Sequence, residues 1–441
     1  MQKLFEEYGG VVQIAMAVLA LVLIAGIIVG GANGGVIGES LNGFVKSISG
    51  EESADGGGGA PAASKNVIMP FFTYSDEGEY IDDKMFVNWA QDATKVVFKE
   101  SYQDLEVVQD VGEVTVDSAK ALDISDPSSK EGSVVAYLEE DNGETVLYIA
   151  GKNGVVTANE NSAGLFLGLE NIKSVDFGGS FNTSLAKDCS GMFNSCSSLE
   201  SLDLTGLDFS DTELATAMFA YSYNLNSVNL NNVNMPKLVN MDRLFEDCES
   251  LESVNLTGFD APKLEIASYA FYGCRALEEI DLSDFEAPNL KDLSYMFAEC
   301  SAVKNIDISN LQTQKAETVE GMFRGCSLLQ AIWTDFSKMD TSNVTNASYM
   351  FAGCKTLLGI GLDGFDSSSL TDMKFMFDGC TNVKNISLET LDTRNVTTMN
   401  FMFRNCVNLA KVYVGDNWVT SQATKTGMWT NCGINQVTNA A

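Results

Sequence analysis

The sequence predicts a repeat solenoid with a parallel sheet on one face and short helical or 3-10 returns on the other, preceded by a β-rich cap and a long N-terminal helix. Three observations support this fold class. A Met-Phe-x-x-Cys motif recurs about every 26 residues in the C-terminal part, an apolar run lies near the N-terminus, and a glycine-rich stretch follows that run. A fixed period of this length is typical of solenoids.

The 441-residue chain divides into four predicted parts. Residues 1–49 form a transmembrane and amphipathic helix, and residues 50–65, which are rich in glycine, alanine and serine, form a flexible linker. Residues 66–161 form a β-rich capping region. Residues 162–441 form the solenoid, which has about ten repeat units after a degenerate first rung.

Residues 11–30 contain one strongly polar side chain, Gln13, and this run is long enough to cross a bilayer core as a helix. A cleaved signal peptide begins with a basic segment, whereas here Glu6 and Glu7 outweigh Lys3. The sequence therefore favours an uncleaved membrane anchor. Apolar residues at helical spacing continue to residue 48, which extends the predicted helix into an amphipathic half.

Glycines recur every four residues along this helix, and such a face lets two helices approach closely. They are Gly26, Gly30, Gly34 and Gly38. Two hypotheses follow from this pattern. The helix is either a plain membrane anchor with a glycine face, or a packing element through which copies of the chain self-assemble.

The capping region shows strand patterns rather than the repeat. Residues 134–139 and 145–150 alternate around Asp141-Asn142-Gly143, which predicts a type I′ hairpin. Residues 96–98 and 107–116 predict further strands. Because a solenoid needs its first apolar rung covered, these strands are expected to form a cap.

Each repeat unit contains an L-x-x-L-x-L pattern, which predicts one short strand with inward apolar side chains such as Leu202 and Leu204. The Met-Phe pairs continue at a spacing of three to four residues, so we expect core packing and a short helical or 3-10 return. Two extra residues between Cys326 and Met350 predict a loop at 334–341.

Nine of the ten cysteines occupy the same position of the repeat; Ser222 replaces cysteine once, and Cys189 lies outside the series. This placement favours buried free thiols. A disulfide between neighbouring rungs stays open as an alternative, because adjacent strands lie about 4.8 Å apart. No C-x-x-C pair is present, so no zinc site is expected.

The chain has 60 acidic and 27 basic residues, no histidine and a formal charge of -33. This charge disfavours nucleic acid and anionic lipid headgroups as partners. The absence of histidine excludes Ser-His and Cys-His catalysis, and no cofactor or metal motif is recognisable. We therefore expect no enzyme, although a carboxylate-based hydrolase remains an alternative.

The repeat M-F-x-x-C-x-x-L-x-x-L-x-L resembles the BspA-like leucine-rich repeat, including its Mycoplasma surface-protein variant, over about residues 162 to 432. The resemblance implies a curved, leucine-rich-repeat-like solenoid on bacterial cell surfaces that adheres to host or bacterial proteins or to glycans. The N-terminal Glu7-Tyr8-Gly9 weakly resembles the start of Flp and other type IV-like pilins. That second resemblance implies filament assembly.

One outward residue lies between the two inward positions of each predicted strand. These residues form a row: Asp203, Asn229, Asn255, Asp281, Asp307, Trp333, Gly361, Ser387 and Tyr413. We predict that this row binds a partner, with Trp333 and Tyr413 as aromatic anchors. The alternatives are a solvated polar face and a calcium site between Asp281 and Asp307, although no calcium-loop motif supports the latter.

Taken together, these features predict a bacterial cell-envelope protein whose N-terminal helix enters the membrane and whose extracellular solenoid mediates protein or cell adhesion without catalysis. The alternative is a pilin-like subunit whose helix packs into a surface filament that displays the solenoid.

Overall fold

The computed structural model describes residues 66–69, 72–74, 80–82, 84–127, 129–282, 285–308, 311–333 and 340–439. The predicted helix at 1–49, the predicted linker at 50–65 and most of the predicted loop at 334–341 lie outside the described residues. Within the described part of the chain, no helix is both long enough and apolar enough to cross a membrane.

The chain divides into two compact units. One contains a pair of short antiparallel strands, β1 (Phe72–Tyr74) and β2 (Tyr80–Asp82), in which Phe72 pairs with Asp82. The other comprises Ser64–Phe71 and Lys84–Ala441 and contains both a cap and a solenoid.

The cap contains a short helix, a 3-10 turn and a mixed sheet. In chain order its elements are α1 (Lys84–Ala90), β3 (Lys95–Lys99), β4 (Glu106–Val108), the 3-10 turn (Val111–Glu113), β5 (Lys120–Asp123), β6 (Val134–Asp141), β7 (Glu144–Gly151) and β8 (Val156–Thr157); the start of the solenoid follows with β9 (Ser174–Asp176) and β10 (Phe181–Asn182). The main sheet has the strand order β4-β5-β6-β7-β3-β9, and β8 pairs with β10.

The hairpin predicted around Asp141-Asn142-Gly143 is confirmed. Strands β6 and β7 pair antiparallel and leave a two-residue loop, in which Asn142 has φ 52° and Gly143 has φ 84°. Positive φ at both loop positions is the requirement of a type I′ turn, whose twist matches that of the flanking strands. Tyr137 and Tyr148 stack across the hairpin with ring centroids 5.2 Å apart.

The strand predicted at 107–116 is much shorter than expected. Only Glu106–Val108 is extended, and the 3-10 turn at Val111–Glu113 follows it. The reason is local: the Asp110 side chain accepts a hydrogen bond of 2.9 Å from the Gly112 backbone N–H. Such side-chain capping favours a turn over continued strand pairing.

The cap and the first rung of the solenoid share one sheet, because β3 pairs in parallel with both β7 and β9. The Phe98 ring stacks on Phe181 at 4.3 Å and meets Phe166 edge-on at 6.2 Å. Phe166 in turn stacks on Phe193 of the first full repeat at 5.1 Å. The apolar start of the solenoid is therefore sealed by aromatic packing.

Each repeat unit of the solenoid is called a coil below. Most coils contain one short strand. These strands are β11 (Ser201–Asp203), β12 (Ser227–Asn229), β13 (Ser253–Asn255), β14 (Asn305–Asp307), β15 (Ala331–Trp333), β16 (Gly359–Gly361), β17 (Asn385–Leu388), β18 (Lys411–Val414) and β19 (Thr438–Asn439). Three parallel sheets form, β11-β12-β13, β14-β15 and β16-β17-β18-β19.

The predicted register of these strands is confirmed. Leu202 pairs with Val228 and Val228 with Val254, and all three side chains are buried. Residues 277–282 carry no strand, although Ile280 and Leu282 are buried. The parallel sheets are thus built on the 26-residue period, with one interruption at this coil and a second between β15 and β16.

The predicted helical or 3-10 returns are wrong. The segment from Met373 to Gly379 shows what replaces them: the N–H groups of Met373, Phe375, Phe377 and Gly379 donate to carbonyls of the next coil, at 2.8 to 3.0 Å. The N–H groups of Met376 and Asp378 instead close turns onto the carbonyls of residues 373 and 375. The spacing of three residues between apolar positions therefore comes from turns.

A helical return would be too wide for the spacing between neighbouring coils. A helix with its side chains is about 10 Å across, whereas hydrogen-bonded coils stack about 4.8 Å apart. A ladder of parallel bridges, running from Asn161 through Asp292 to Thr424, keeps the coils at bridge spacing on this side too. Both sides of the described coils are therefore held together by backbone hydrogen bonds between neighbouring coils.

The Met-Phe-x-x-Cys residues form the core, as predicted. Phenylalanine rings of successive coils stack from Phe166 to Phe403 and end on Trp429, with centroid separations of 4.7 to 6.0 Å. The rings through Phe403 and nine of the ten cysteines are buried.

The cysteines have a specific role in stacking the coils. Each of eight buried thiols donates a hydrogen bond to the carbonyl of the phenylalanine one coil earlier, as Cys300 does to Phe271 at 3.0 Å. Ser222 donates the equivalent bond to Phe193 at 2.9 Å. A shared donor function explains why serine replaces cysteine at this position.

All ten cysteines are free in the structure, which favours the thiol interpretation over inter-rung disulfides. Burial raises the pKa of the Cys300 thiol to about 12, so this side chain stays protonated and can donate.

Replacing Cys300 tests the donor function. We expect Cys300→Ala to lower the free energy of unfolding by about 1–2 kcal/mol, because it removes a buried hydrogen bond and leaves a small void. Cys300→Ser keeps the donor and should cost less. Guanidinium unfolding followed by circular dichroism measures both. A serine variant less stable than the alanine variant would contradict this role.

Thiol counting tests the oxidation state. At mildly alkaline pH and without reductant, a chromogenic disulfide reagent should react quickly only with Cys432, which is partly exposed, since the other thiols are buried. After unfolding in denaturant, all ten thiols should react. A count of eight or fewer would indicate disulfides.

Candidate binding surfaces

The predicted outward row lies on the strand face, the surface formed by the outward residues of β11 to β18. The strand registers place Asp203, Asn229 and Asn255 side by side, and set Asp307 opposite Trp333. A third group is Gly361, Ser387 and Tyr413. Asp281 is exposed and lies in the coil that has no strand. The structure thus brings the row together in three groups.

Three of these polar side chains stabilise turns. Asp203 accepts hydrogen bonds from the backbone N–H and the hydroxyl of Thr205, at 3.0 and 2.8 Å. Asn229 and Asn255 each accept from the N–H two residues later. This is the Asx-turn, in which a short polar side chain replaces a backbone acceptor. The polar row in this region therefore has a structural explanation.

The rest of the row differs in character. Asp307 is exposed, Ser387 and Tyr413 are half-buried, and the Lys411 ammonium lies 5.7 Å from the centre of the Tyr413 ring. As for the calcium alternative, no group of three or more His, Cys, Asp or Glu side chains in the described chain could hold a metal ion.

A second surface, which the sequence analysis missed, lies on the opposite side of each coil. We call it the Met face, formed by the segments that surround each Met position. The residue directly before that position has φ between 52° and 61° in every coil. These residues form the aromatic column: Gly191, Ala217, Arg243, Tyr269, Tyr295, Gly321, Tyr349, Phe375, Phe401 and Gly427.

Large side chains in the aromatic column occupy a backbone conformation that suits glycine. A left-handed conformation costs a non-glycine residue about 1–2 kcal/mol. Ring stacking offsets part of this cost: Tyr269 stacks on Tyr295 at 4.9 Å, Tyr349 on Phe375 at 4.6 Å, and Phe375 on Phe401 at 4.9 Å. All five rings are half-buried, so the column presents aromatic surface to solvent.

Guanidinium groups lie on these rings and are ion-paired to carboxylates. Arg243 lies 4.5 Å from the centre of the Tyr269 ring and pairs with Glu246 at 2.6 Å and Asp242 at 3.3 Å. Arg404 lies 4.9 Å from Phe375 and donates from Nε to Asp378 at 2.9 Å. The Met face therefore combines aromatic, cationic and anionic groups.

Partial burial shifts the acidities on this face. Burial raises the pKa of Asp242 to about 6, and the nearby Arg243 lowers it only in part. The Tyr221 hydroxyl donates to Glu246 at 3.0 Å, and burial together with this carboxylate raises the tyrosine pKa. Tyr295 donates in the same way to Glu320, at 3.0 Å.

The sequence contains a signal for the aromatic column. Aligning the coils on the Met position shows glycine and aromatic residues sharing the preceding position, as with Gly321 and Tyr349. Glycine at this position indicates a left-handed backbone. Aromatic residues at the same position indicate that ring stacking or binding offsets the free-energy cost of that conformation. The sequence does not predict that the aromatic rings are half-buried, because their exposure depends on the path that the backbone takes through the turn.

The repeat region matches a known protein family. A family model described as "Mycoplasma protein of unknown function, DUF285" matches residues 161–254, 239–332 and 327–439, which together span more than half of the chain. The chain belongs to this family. The matched residues coincide with the solenoid, which supports the Mycoplasma-type repeat resemblance, whereas no match supports the pilin resemblance. No curated protein and no solved structure matches the chain.

A glycine substitution tests the packing of the aromatic column in this DUF285 family member. Gly321 has φ 58°, and a Cβ there would lie 2.4 Å from Cε1 of Tyr295. We expect Gly321→Ala to destabilise the protein by about 1–3 kcal/mol more than a glycine substitution without this clash. Gly206→Ala is the matched control, because Gly206 also has positive φ and open space around it. Equal thermal shifts of the two variants would show that the ring does not pack against residue 321.

Proposed function

We propose that this chain is a non-enzymatic, membrane-anchored protein of the bacterial cell surface, whose solenoid binds proteins or glycans and mediates adhesion. One observation carries the proposal: the coils keep their inward residues and vary their outward ones. The buried phenylalanine recurs in every coil up to Phe403, while the outward strand position changes from Asp307 to Trp333 to Ser387. A constant core with a varied exterior is typical of solenoids that present extended binding surfaces.

The N-terminal helix at 1–49 remains a prediction that supports the anchor. Its apolar run has the length of a bilayer core. The glycine face of this helix supports a second candidate, in which copies of the chain pack into a filament.

Fractionation and electron microscopy test the two candidates. Protease treatment of intact cells should remove the solenoid while leaving the N-terminal helix in the membrane fraction. Sheared surface material that contains filaments with an intact helix would instead establish the filament. Protection of the solenoid from protease on intact cells would refute a surface location altogether.

A pair of substitutions tests the strand face. If this face binds a partner, Trp333→Ala and Asp307→Ala should each weaken adhesion of cells that display the chain, by about tenfold for an aromatic anchor. Trp418→Ala is the control, because Trp418 lies outside the outward row. Adhesion to immobilised matrix proteins and to co-resident bacteria is the measurement. Unchanged adhesion of both strand-face variants would exclude the row as the binding site.

A further inference from the structure

Beside the aromatic column, the Met face carries a group of tyrosines and carboxylates that the packing of the core does not require. We call it the acidic tyrosine patch: Tyr221, Tyr223, Asp247, Tyr272 and Glu299. These residues come from four successive coils and are half-buried or exposed, with Tyr223 at 40% exposure.

Among the described residues, the two carboxylates of the patch are not ion-paired, although Arg275 and Arg243 lie near enough to Asp247 to lower its pKa in part. Within the described part of the chain, neither Asp247 nor Glu299 forms an ion pair, and the nearby Arg275 is paired with Glu249 at 3.2 Å. Burial and the neighbouring Glu246 raise the pKa of Asp247, and Arg275 offsets this only in part. Negative charge at this place is therefore incompletely balanced.

Glycines of the following coil make room for both carboxylates. A Cβ on Gly273 would lie 2.1 Å from Oδ1 of Asp247, and a Cβ on Gly325 would lie 2.5 Å from the Glu299 carboxylate. Asp247 and Glu299 themselves have φ 53° and 62°. The same position of the repeat has positive φ in every coil, from Ser195 to Asn431, so the turn itself requires this backbone conformation.

The tyrosines of the patch depart from the flat stacking of the column. Tyr272 is tilted by 54° against Tyr269, at 5.5 Å, and Tyr223 is tilted by 58° against Tyr221, at 6.5 Å. Tilted pairs do not cover each other's ring faces, so aromatic surface stays available beside the carboxylates. A cation that contacts both a ring face and a carboxylate is held by a cation–π interaction and by an ion pair.

The same protein shows how this combination holds a guanidinium. Arg243 on Tyr269 is paired with Glu246, and Arg404 on Phe375 is paired with Asp378. In the acidic tyrosine patch the rings and the carboxylates are present and arginines lie near them, but among the described residues no arginine is ion-paired to Asp247 or Glu299. A partner that brings its own arginine or lysine side chains would complete the arrangement.

We propose that the acidic tyrosine patch is a docking surface for a cationic polypeptide segment, rich in arginine or lysine, of a partner protein. The inference deepens the proposed function, on which it rests, and places one adhesive contact on the Met face. Asp247 and Glu299 lie two coils apart, about 10 Å, so the patch matches several cationic side chains rather than one metal ion. The charge of -33 attracts such a partner from a distance.

Peptide binding to the full-length chain in a neutral detergent tests this inference. Fluorescently labelled oligo-arginine, oligo-lysine and an uncharged Gly-Ser peptide are compared by anisotropy. We expect binding of both cationic peptides, with arginine preferred because a guanidinium stacks on a ring. The double variant Asp247→Asn/Glu299→Gln should bind at least about tenfold more weakly, as should Tyr272→Ala, while Tyr272→Phe keeps the ring and its affinity.

The matched control is Glu200→Gln/Glu252→Gln, which removes the same charge from the residues directly before β11 and β13. Both residues are exposed and have no ion pair among the described residues. We expect this control to change affinity less than twofold. An equal loss in both double variants would show that only the overall charge attracts the peptide, and would overturn the proposal.

Circular dichroism melts of every variant separate lost binding from lost folding. Failure of the peptide test leaves surface location untouched, because the protease experiment measures that independently. Tight binding of uncharged peptide, or of anionic glycan in preference to oligo-arginine, would also overturn the cationic partner.

Discussion

The structure depends on backbone hydrogen bonds that run from coil to coil on both sides of the solenoid. On the Met face, alternate N–H groups, such as those of Phe375 and Phe377, donate to the next coil, while the intervening groups close turns within their own coil. No donor in this segment is left for solvent, which satisfies the requirement that buried backbone groups be paired. The core residues, the turns and the outward columns all follow from this repeated arrangement.

Because neighbouring coils superpose residue on residue, each position of the repeat becomes a column that runs from coil to coil. Phenylalanine rings stack in the core, thiols bridge to carbonyls, and aromatic rings stack again outside, as Tyr349 does on Phe375. A change in one coil therefore acts on its two neighbours rather than on the whole molecule. Variation of outward residues is possible at little cost to the fold, which is how one scaffold carries two chemically different faces.

The two faces suit different partners. The strand face carries short polar side chains that cap turns, such as Asp203, together with Trp333 and Tyr413 in its C-terminal half. The Met face carries tyrosines and carboxylates at strained backbone positions. Two chemically distinct surfaces on one repeat array would suit the adhesive role proposed above, because separate contacts that act together raise the overall affinity.

The 26-residue period by itself determined the parallel register, the inward residues and the buried Met-Phe-x-x-Cys series, because a strand pattern repeated at constant spacing can bury its apolar side in only one way. The turn at Asp141-Asn142-Gly143 could also be predicted from the sequence, since the positive φ angles that it requires depend only on the turn residues themselves. The Met face was decided by tertiary structure. Its turns depend on hydrogen bonds that a neighbouring coil accepts. In the sequence, the apolar residues of these turns have the spacing of a helix, so neither the ladder of turns nor the acidic tyrosine patch was predicted.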